Sequence, residues 1–217
     1  MAFRKRTRFR RRGRRAPWYR RKYNAVQLAT KALRGLRYVK GLVNSESYRV
    51  ITSGDVNPTS SGTIVHYTSV AQGDGATTRT GNSIFVRALM VNLNIKINPS
   101  VTGSTFCRII AFIDTQQIGD TSPAVTDVLE SANVNSSLAL NTSGRFKILR
   151  NWEFDLNAVN KPSKVIKQFF NLRHHVRYNG TNGSDIQKGG IYILYLSTEA
   201  TNTPTIGSNN FIRYHDN

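Results

Sequence analysis

The nine residues Leu89–Ile97 read LMVNLNIKI, and their alternation decides the fold class. Leu89, Val91, Leu93, Ile95 and Ile97 take the odd positions, while Asn92, Asn94 and Lys96 fill even ones. Successive side chains of an extended strand point to opposite faces, so this stretch has one apolar and one polar face. The rhythm returns further along the chain. It predicts Phe146, Ile148, Trp152, Phe154 and Leu156 on one face of a strand and Lys147, Asn151, Glu153 and Asp155 on the other. Thr105–Asp114 and Gly190–Ser197 are apolar at almost every position, as in strands covered on both sides. Tyr48–Thr52, Thr63–Val70, Ser163–Tyr178 and Asn209–Tyr214 complete a set of about eight strands. Polar, turn-rich connections separate them. The longest, Thr115–Ser143, is expected to hold one helical turn around Asp127–Glu130. The pattern predicts an all-β fold, a single eight-stranded antiparallel jelly roll or β-sandwich over residues 45–217.

Outward from that body, the charge is divided unevenly. The 217 residues include 31 Lys+Arg and 12 Asp+Glu, for a net charge of +19. Residues 1–40 carry 16 of the cations and none of the acids, which leaves the rest of the chain almost neutral. This is a basic arm on a neutral body rather than an all-round basic protein. Residues 1–23 contain Arg4, Lys5, Arg6, Arg8, Arg10, Arg11, Arg12, Arg14, Arg15, Arg20, Arg21 and Lys22. So much like charge with so few aliphatic residues cannot build a core, and the arm is expected to be disordered on its own. Guanidinium groups grip phosphate through paired donors. Phe3, Phe9, Trp18, Tyr19 and Tyr23 lie among them and offer stacking to unpaired bases. The arm reads as a nucleic-acid-binding segment, and a nuclear localisation signal is compatible with it.

Residues 24–44 link arm and body. Ala25, Leu28, Ala29, Ala32, Leu33, Leu36, Val39 and Val43 recur at steps of three and four, the spacing of one helix face. Asn24 is placed to cap the start. Lys31, Arg34, Arg37 and Lys40 make the helix basic and extend the expected nucleic-acid-binding set. Such a helix can dock on its own domain, face a bound polymer, or lie on a membrane surface, though its few large apolar residues disfavour the last.

The body offers little for catalysis. The single cysteine, Cys107, excludes an intramolecular disulfide and a cysteine-rich zinc site. Its strand context predicts a buried, inert thiol. His174 and His175 are adjacent on a strand, so their rings point apart, and His66 is expected to be structural. Gly73, Gly75 and Gly81 surround a loop without the order of a phosphate-binding motif. Asp114, Asp120 and Asp127 are too scattered for an EF-hand-like calcium loop. No enzyme activity, metal or cofactor is expected. Basic residues also cluster on one strand: Lys167, Arg173 and Arg177 share the odd face of Ser163–Tyr178, with Lys164 at its start. They either extend a phosphate-binding surface or form a solvated strand face. No apolar segment follows the basic N-terminus, and Ile109–Ile113 and Ile191–Leu196 fall far short of a membrane span. A soluble protein made in the cytosol, with no membrane insertion, is expected.

Three stretches carry a family resemblance. Ala32–Glu46 (ALRGLRYVKGLVNSE), Gln72–Ile84 (QGDGATTRTGNSI, with a QG…R-x-GN-x-I pattern) and Arg145–Leu156 resemble capsid proteins of small circular Rep-encoding single-stranded DNA viruses. Thr80 departs from that pattern, where a larger aliphatic residue is usual. A similar arrangement occurs in satellite plant viruses with RNA genomes. The resemblance implies a capsid protein that self-assembles into a small icosahedral shell, T=1 with about 60 copies. It implies packaging of a single-stranded genome through the arm, with DNA favoured and RNA possible. It also implies a place in the virion, passage through host nucleus and cytoplasm during assembly, and a host receptor that the sequence does not identify. The competing reading is a cellular nucleic-acid-binding protein with a basic tail on a β-sandwich domain.

Overall fold

The computed structural model describes residues 24–42 and 47–216, with the helix side chains followed as far as Arg37. The chain divides between Asn44 and Ser45 into two compact units. In the first, α1 runs over Ala25–Leu42. Its start is capped reciprocally: the Gln27 amide donates to Asn24 Oδ1 at 2.9 Å, and the Asn24 amide donates to Gln27 Oε1 at 3.4 Å. Of the apolar stripe expected from the spacing, Leu28, Leu33 and Leu36 are exposed, and the side chains of Val39 and Val43 lie outside the described residues.

The second unit holds nine strands among its described residues. They are β1 (Ser47–Val56), β2 (Thr63–His66), β3 (Ser83–Lys96), β4 (Ser104–Asp114), β5 (Phe146–Asn157), β6 (Ser163–Tyr178), β7 (Ile186–Lys188), β8 (Gly190–Ser197) and β9 (Thr205–Asp216). A single short turn of helix, α2 (Val125–Val128), lies in the long connection, beginning two residues before its expected position. All pairings are antiparallel. One sheet has the order β1-β9-β3-β6-β7 and the other β2-β8-β4-β5. The pairings nest: β4 with β5, β3 with β6, β2 with β8 and β1 with β9. A long hairpin bent at residues 115–145 and rolled over itself gives this order, which is a jelly roll. The eight expected strands are all present; β7, three residues long, is too short to show a period.

Between the sheets, Leu89, Val91, Leu93 and Ile95 from β3 meet Cys107, Ile109, Ala111 and Ile113 from β4. The alternation of the opening stretch thus faces the core as expected. Two irregularities adjust it. Register shifts between Val86 and Ala88 against both β6 and β9, so the inward set passes from Ile84 and Val86 to Leu89 and its odd successors. On β5, Ala111 pairs with Arg150 but Phe112 pairs with Ile148, which leaves Leu149 as an extra residue. That residue corrects the sequence expectation of one continuous apolar face. Trp152, Phe154 and Leu156 belong to the inter-sheet core, whereas Phe146 and Ile148 pack on the other side of the sheet.

That other side is covered. Val128, Leu129 and Val134 of the long connection pack on Ile110, Phe112, Tyr192, Leu194 and Leu196. The outer face of the five-stranded sheet differs, with Ile51, Val165 and Phe169 more than half exposed. No helix among the described residues is long and apolar enough to cross a membrane.

Candidate nucleic-acid interface

The odd positions of β6 project outward, and Lys167, Arg173 and Arg177 are all exposed there. Lys164 does not join them. It is half-buried, and its ammonium lies 4.2 Å over the ring of Phe154. On α1, Lys31, Arg34 and Arg37 are exposed. The Lys40 side chain and the arm cations from Arg4 to Lys22 lie outside the described residues.

Sheet order brings further cations to the same face, which the sequence reading missed. β1 and β9 are the first and last strands, and Arg49 pairs with Arg213 across them. Both guanidiniums flank one ring, at 3.9 Å and 5.6 Å from the Phe211 centroid. Arg87 emerges at the register shift of β3, with its Nη1 3.5 Å from His215 Nε2. Beside it, Phe85 and His175 lie 4.7 Å apart, centroid to centroid. Arg173 holds φ +50, a left-handed conformation that is uncommon for a side chain of this size. The only available signal was that Arg49, Arg87 and Arg213 lie in strand-like runs; their pairing depends on topology.

The remaining singled-out residues are structural. His66 bonds Thr68 Oγ1 through Nε2 at 2.9 Å and stacks on Tyr192 at 4.7 Å. Burial pushes its pKa down to about 4, so the ring stays neutral. His174 Nε2 lies 3.2 Å from the Gly189 carbonyl, and burial lowers its pKa as well. Cys107 is fully buried and its thiol is pushed up to about 12, which fits the inert role expected of it. Asp114 and Asp127 do come close, but around a guanidinium. Arg145 donates to Asp114 through Nε at 2.9 Å and Nη2 at 2.6 Å, and its Nη1 lies 3.9 Å from Asp127. Among the described residues no group of three or more His, Cys, Asp or Glu side chains is placed to hold a metal.

The loop glycines frame a buried arginine. Arg79 donates through Nε to Val70 at 3.0 Å, through Nη1 to Gly81 at 2.5 Å and through Nη2 to Gly180, all backbone carbonyls. The R-x-GN-x-I pattern is therefore a device for closing this end of the sandwich. Such a device reports loop geometry and carries no information on the genome.

A family model described as the satellite tobacco necrosis virus coat protein matches residues 20–217. The coat protein of Maize white line mosaic Satellite virus is 33% identical over 140 residues, which cover 62% of this chain and 64% of that protein. That match spans less than two thirds of the relative's length. The coat protein of Satellite tobacco necrosis virus 2 is 26% identical over 168 residues, covering 75% of this chain and 82% of that one. Among solved structures, a chain of Desmodium yellow mottle tymovirus has a TM-score of 0.39 at 10% identity, covering 79% of this chain and 86% of its own. The sequence relatives are satellite viruses and not circular single-stranded DNA viruses. The circular single-stranded DNA origin expected from the loop and strand motifs is therefore not supported.

Proposed function

The chain belongs to the satellite tobacco necrosis virus coat protein family, structural capsid proteins and not enzymes, and we propose that it closes a small icosahedral shell around a single-stranded RNA genome. The RNA assignment follows the family, because satellite plant viruses are the RNA-genome group of the two that the sequence resembles. The shell is T=1, with about 60 copies related by closed symmetry.

One observation carries the reading. Of the net charge of +19, +16 lies in the first 40 residues. About 60 such segments bring on the order of a thousand positive charges inside a shell, and each phosphate they neutralise releases a counterion. That matches a genome of about one to a few kilobases. Residues 1–23 act as the packaging arm, 24–44 as a basic helical link, and 45–217 as the shell domain. The nearly neutral shell domain packs against its own copies without strong repulsion. Exposed apolar side chains suit that role, notably Ile118 and Leu140 on the long connection and Val159 between β5 and β6. The subunit resides in the virion and, during assembly, in the host cytoplasm and nucleus.

Electron microscopy and sedimentation of the purified chain test this, with nuclease-protected nucleic acid extracted and typed. Uniform particles carrying RNase-sensitive, DNase-resistant strands are expected. A monodisperse monomer at high concentration and moderate salt overturns the proposal.

A further inference from the structure

The open face of the five-stranded sheet has an order that its composition alone does not reveal. Three rows cross the strands. Ser47, His215, Phe85 and His175 lie opposite one another in the first. The second holds Arg49, Arg213 and Asn171, with Arg87 emerging at the register shift beside Ala88. The third is Ile51, Phe211, Met90 and Phe169. A row of arginines thus runs beside a row of apolar and aromatic side chains. Two residues of strand separate them, about 7 Å, which is the scale of one nucleotide.

Charge on this face is predominantly positive. The outward positions of β1, β3, β6 and β9 carry Arg49, Arg87, Lys96, Lys167, Arg173, Arg177 and Arg213, against Asp55 as the acid. A groove of about 250 Å³ lies between the first two rows and Phe169, lined by Ser47, Arg87, Ala88, Phe169, Asn171 and Arg213. Phe169 is 54% exposed among the described residues, an unusual cost for an aromatic ring on a strand. A second copy of the same face would bring its own cations against these and be repelled. An occupant must be anionic along one line and apolar along the next.

We propose that this face is a platform for the packaged single strand, with phosphates along the Arg49, Arg213 and Arg87 row and bases stacked on the aromatic row. Phe169 offers an uncovered ring. At Phe211 the Arg49 guanidinium already lies on the ring, so a base stacks on the guanidinium plane there while its edge donors remain available to phosphate. Recognition by stacking and charge is indifferent to sequence, as a shell holding one strand at many equivalent positions requires. The proposal rests on the packaging reading above and adds a second contact to that of the arm.

The test uses particles of the full chain. Ultraviolet cross-linking followed by peptide mapping is expected to attach RNA to the peptide containing Phe169 as well as to the arm. Phe169→Ala should lose the first attachment and keep the second, in particles of unchanged sedimentation. The triple variant Arg49→Ser, Arg87→Ser, Arg213→Ser should lose nuclease-protected RNA from intact particles. If that variant forms no particles, the Phe169→Ala comparison still decides. RNA attached to the arm alone, with unchanged content in the triple variant, overturns the platform and leaves the packaging reading standing. A protein–protein cross-link placing a neighbouring subunit on this face also overturns it. Wild-type particles without nucleic acid overturn the packaging reading, and the platform with it.

Discussion

The guanidinium of Arg79 lies 4.0 Å over the ring of Tyr178, fully buried where the loop before β3 meets the end of β6. Its donors are taken by the carbonyls of Val70, Gly81 and Gly180, and no carboxylate forms an ion pair with it among the described residues. Tyr178 in turn donates its hydroxyl to the Thr68 carbonyl at 2.7 Å. One side chain therefore ties three backbone segments. Arg79→Ala strands the buried carbonyl of Val70 and the half-buried carbonyls of Gly81 and Gly180, and the expected loss is about 3 kcal/mol. Arg79→Lys should recover only part of it, because an ammonium cannot meet the three carbonyls in one plane. Urea unfolding of dissociated subunits checks both.

The pair of Arg145 and Asp114 closes the mouth of the long connection in the same way. Asp114 is fully buried, and the bidentate contact holds the Arg145 pKa above its ordinary value. The Thr115 amide also donates to the Arg145 carbonyl at 2.9 Å. Arg145→Ala leaves a buried carboxylate uncompensated, at an expected cost of about 3–5 kcal/mol. The layer formed by Val128, Leu129 and Val134 hangs from this closure, so protease nicking between residues 115 and 145 should precede global unfolding in the variant.

How much of this was legible in sequence depends on range. Leu89–Ile95 could be read because alternation is local, and β4 and β8 because burial on both faces leaves few polar positions. The extra residue at Leu149 was hidden: apolar side chains keep to even numbers on both sides of it, although the face they occupy changes. Arg79 looked like any loop arginine, since its burial depends on carbonyls brought from Val70 and Gly180. Arg49 and Arg213 became neighbours only through the pairing of the first strand with the last. The cations expected to bind nucleic acid were named from composition and lie largely outside the described residues.

His66 gives a pH dependence. Its folded pKa of about 4 lies below the ordinary 6.5, because burial disfavours the charged ring. Between those values the unfolded chain binds a proton that the folded one does not, so stability falls as the pH drops from about 6.5 to about 4. The full contribution is about 3 kcal/mol. His66→Gln can keep the contact with Thr68 without titrating. Subunit unfolding at pH 7 and pH 4.5 should show a smaller difference for the variant than for the wild type.

Leu140 and Val159 are 80% and 82% exposed, on different connections of the shell domain. Neither supports the core, so Leu140→Asp and Val159→Asp should leave subunit stability within about 0.5 kcal/mol. A charge placed in a subunit contact is costly to bury. Sedimentation should show small species in place of particles for at least one of the two variants. Normal particles from both would remove these side chains from the contacts.

Removal of residues 1–23 separates packaging from assembly. It deletes 12 of the 31 basic residues and no acid, and the inter-sheet core is left intact. The truncated chain should fold, with its β-sheet circular dichroism retained, and its particles should lose nuclease-protected RNA. Binding of the intact chain to single strands should weaken steeply with salt, since each phosphate contact releases a counterion. The slope is the informative quantity: arm phosphate contacts disappear from it on truncation, which should leave only the smaller slope of the Arg49, Arg87 and Arg213 row together with salt-insensitive stacking on Phe169 and Phe211. A truncated chain with the full salt slope would place the phosphate contacts on the shell domain and demote the arm.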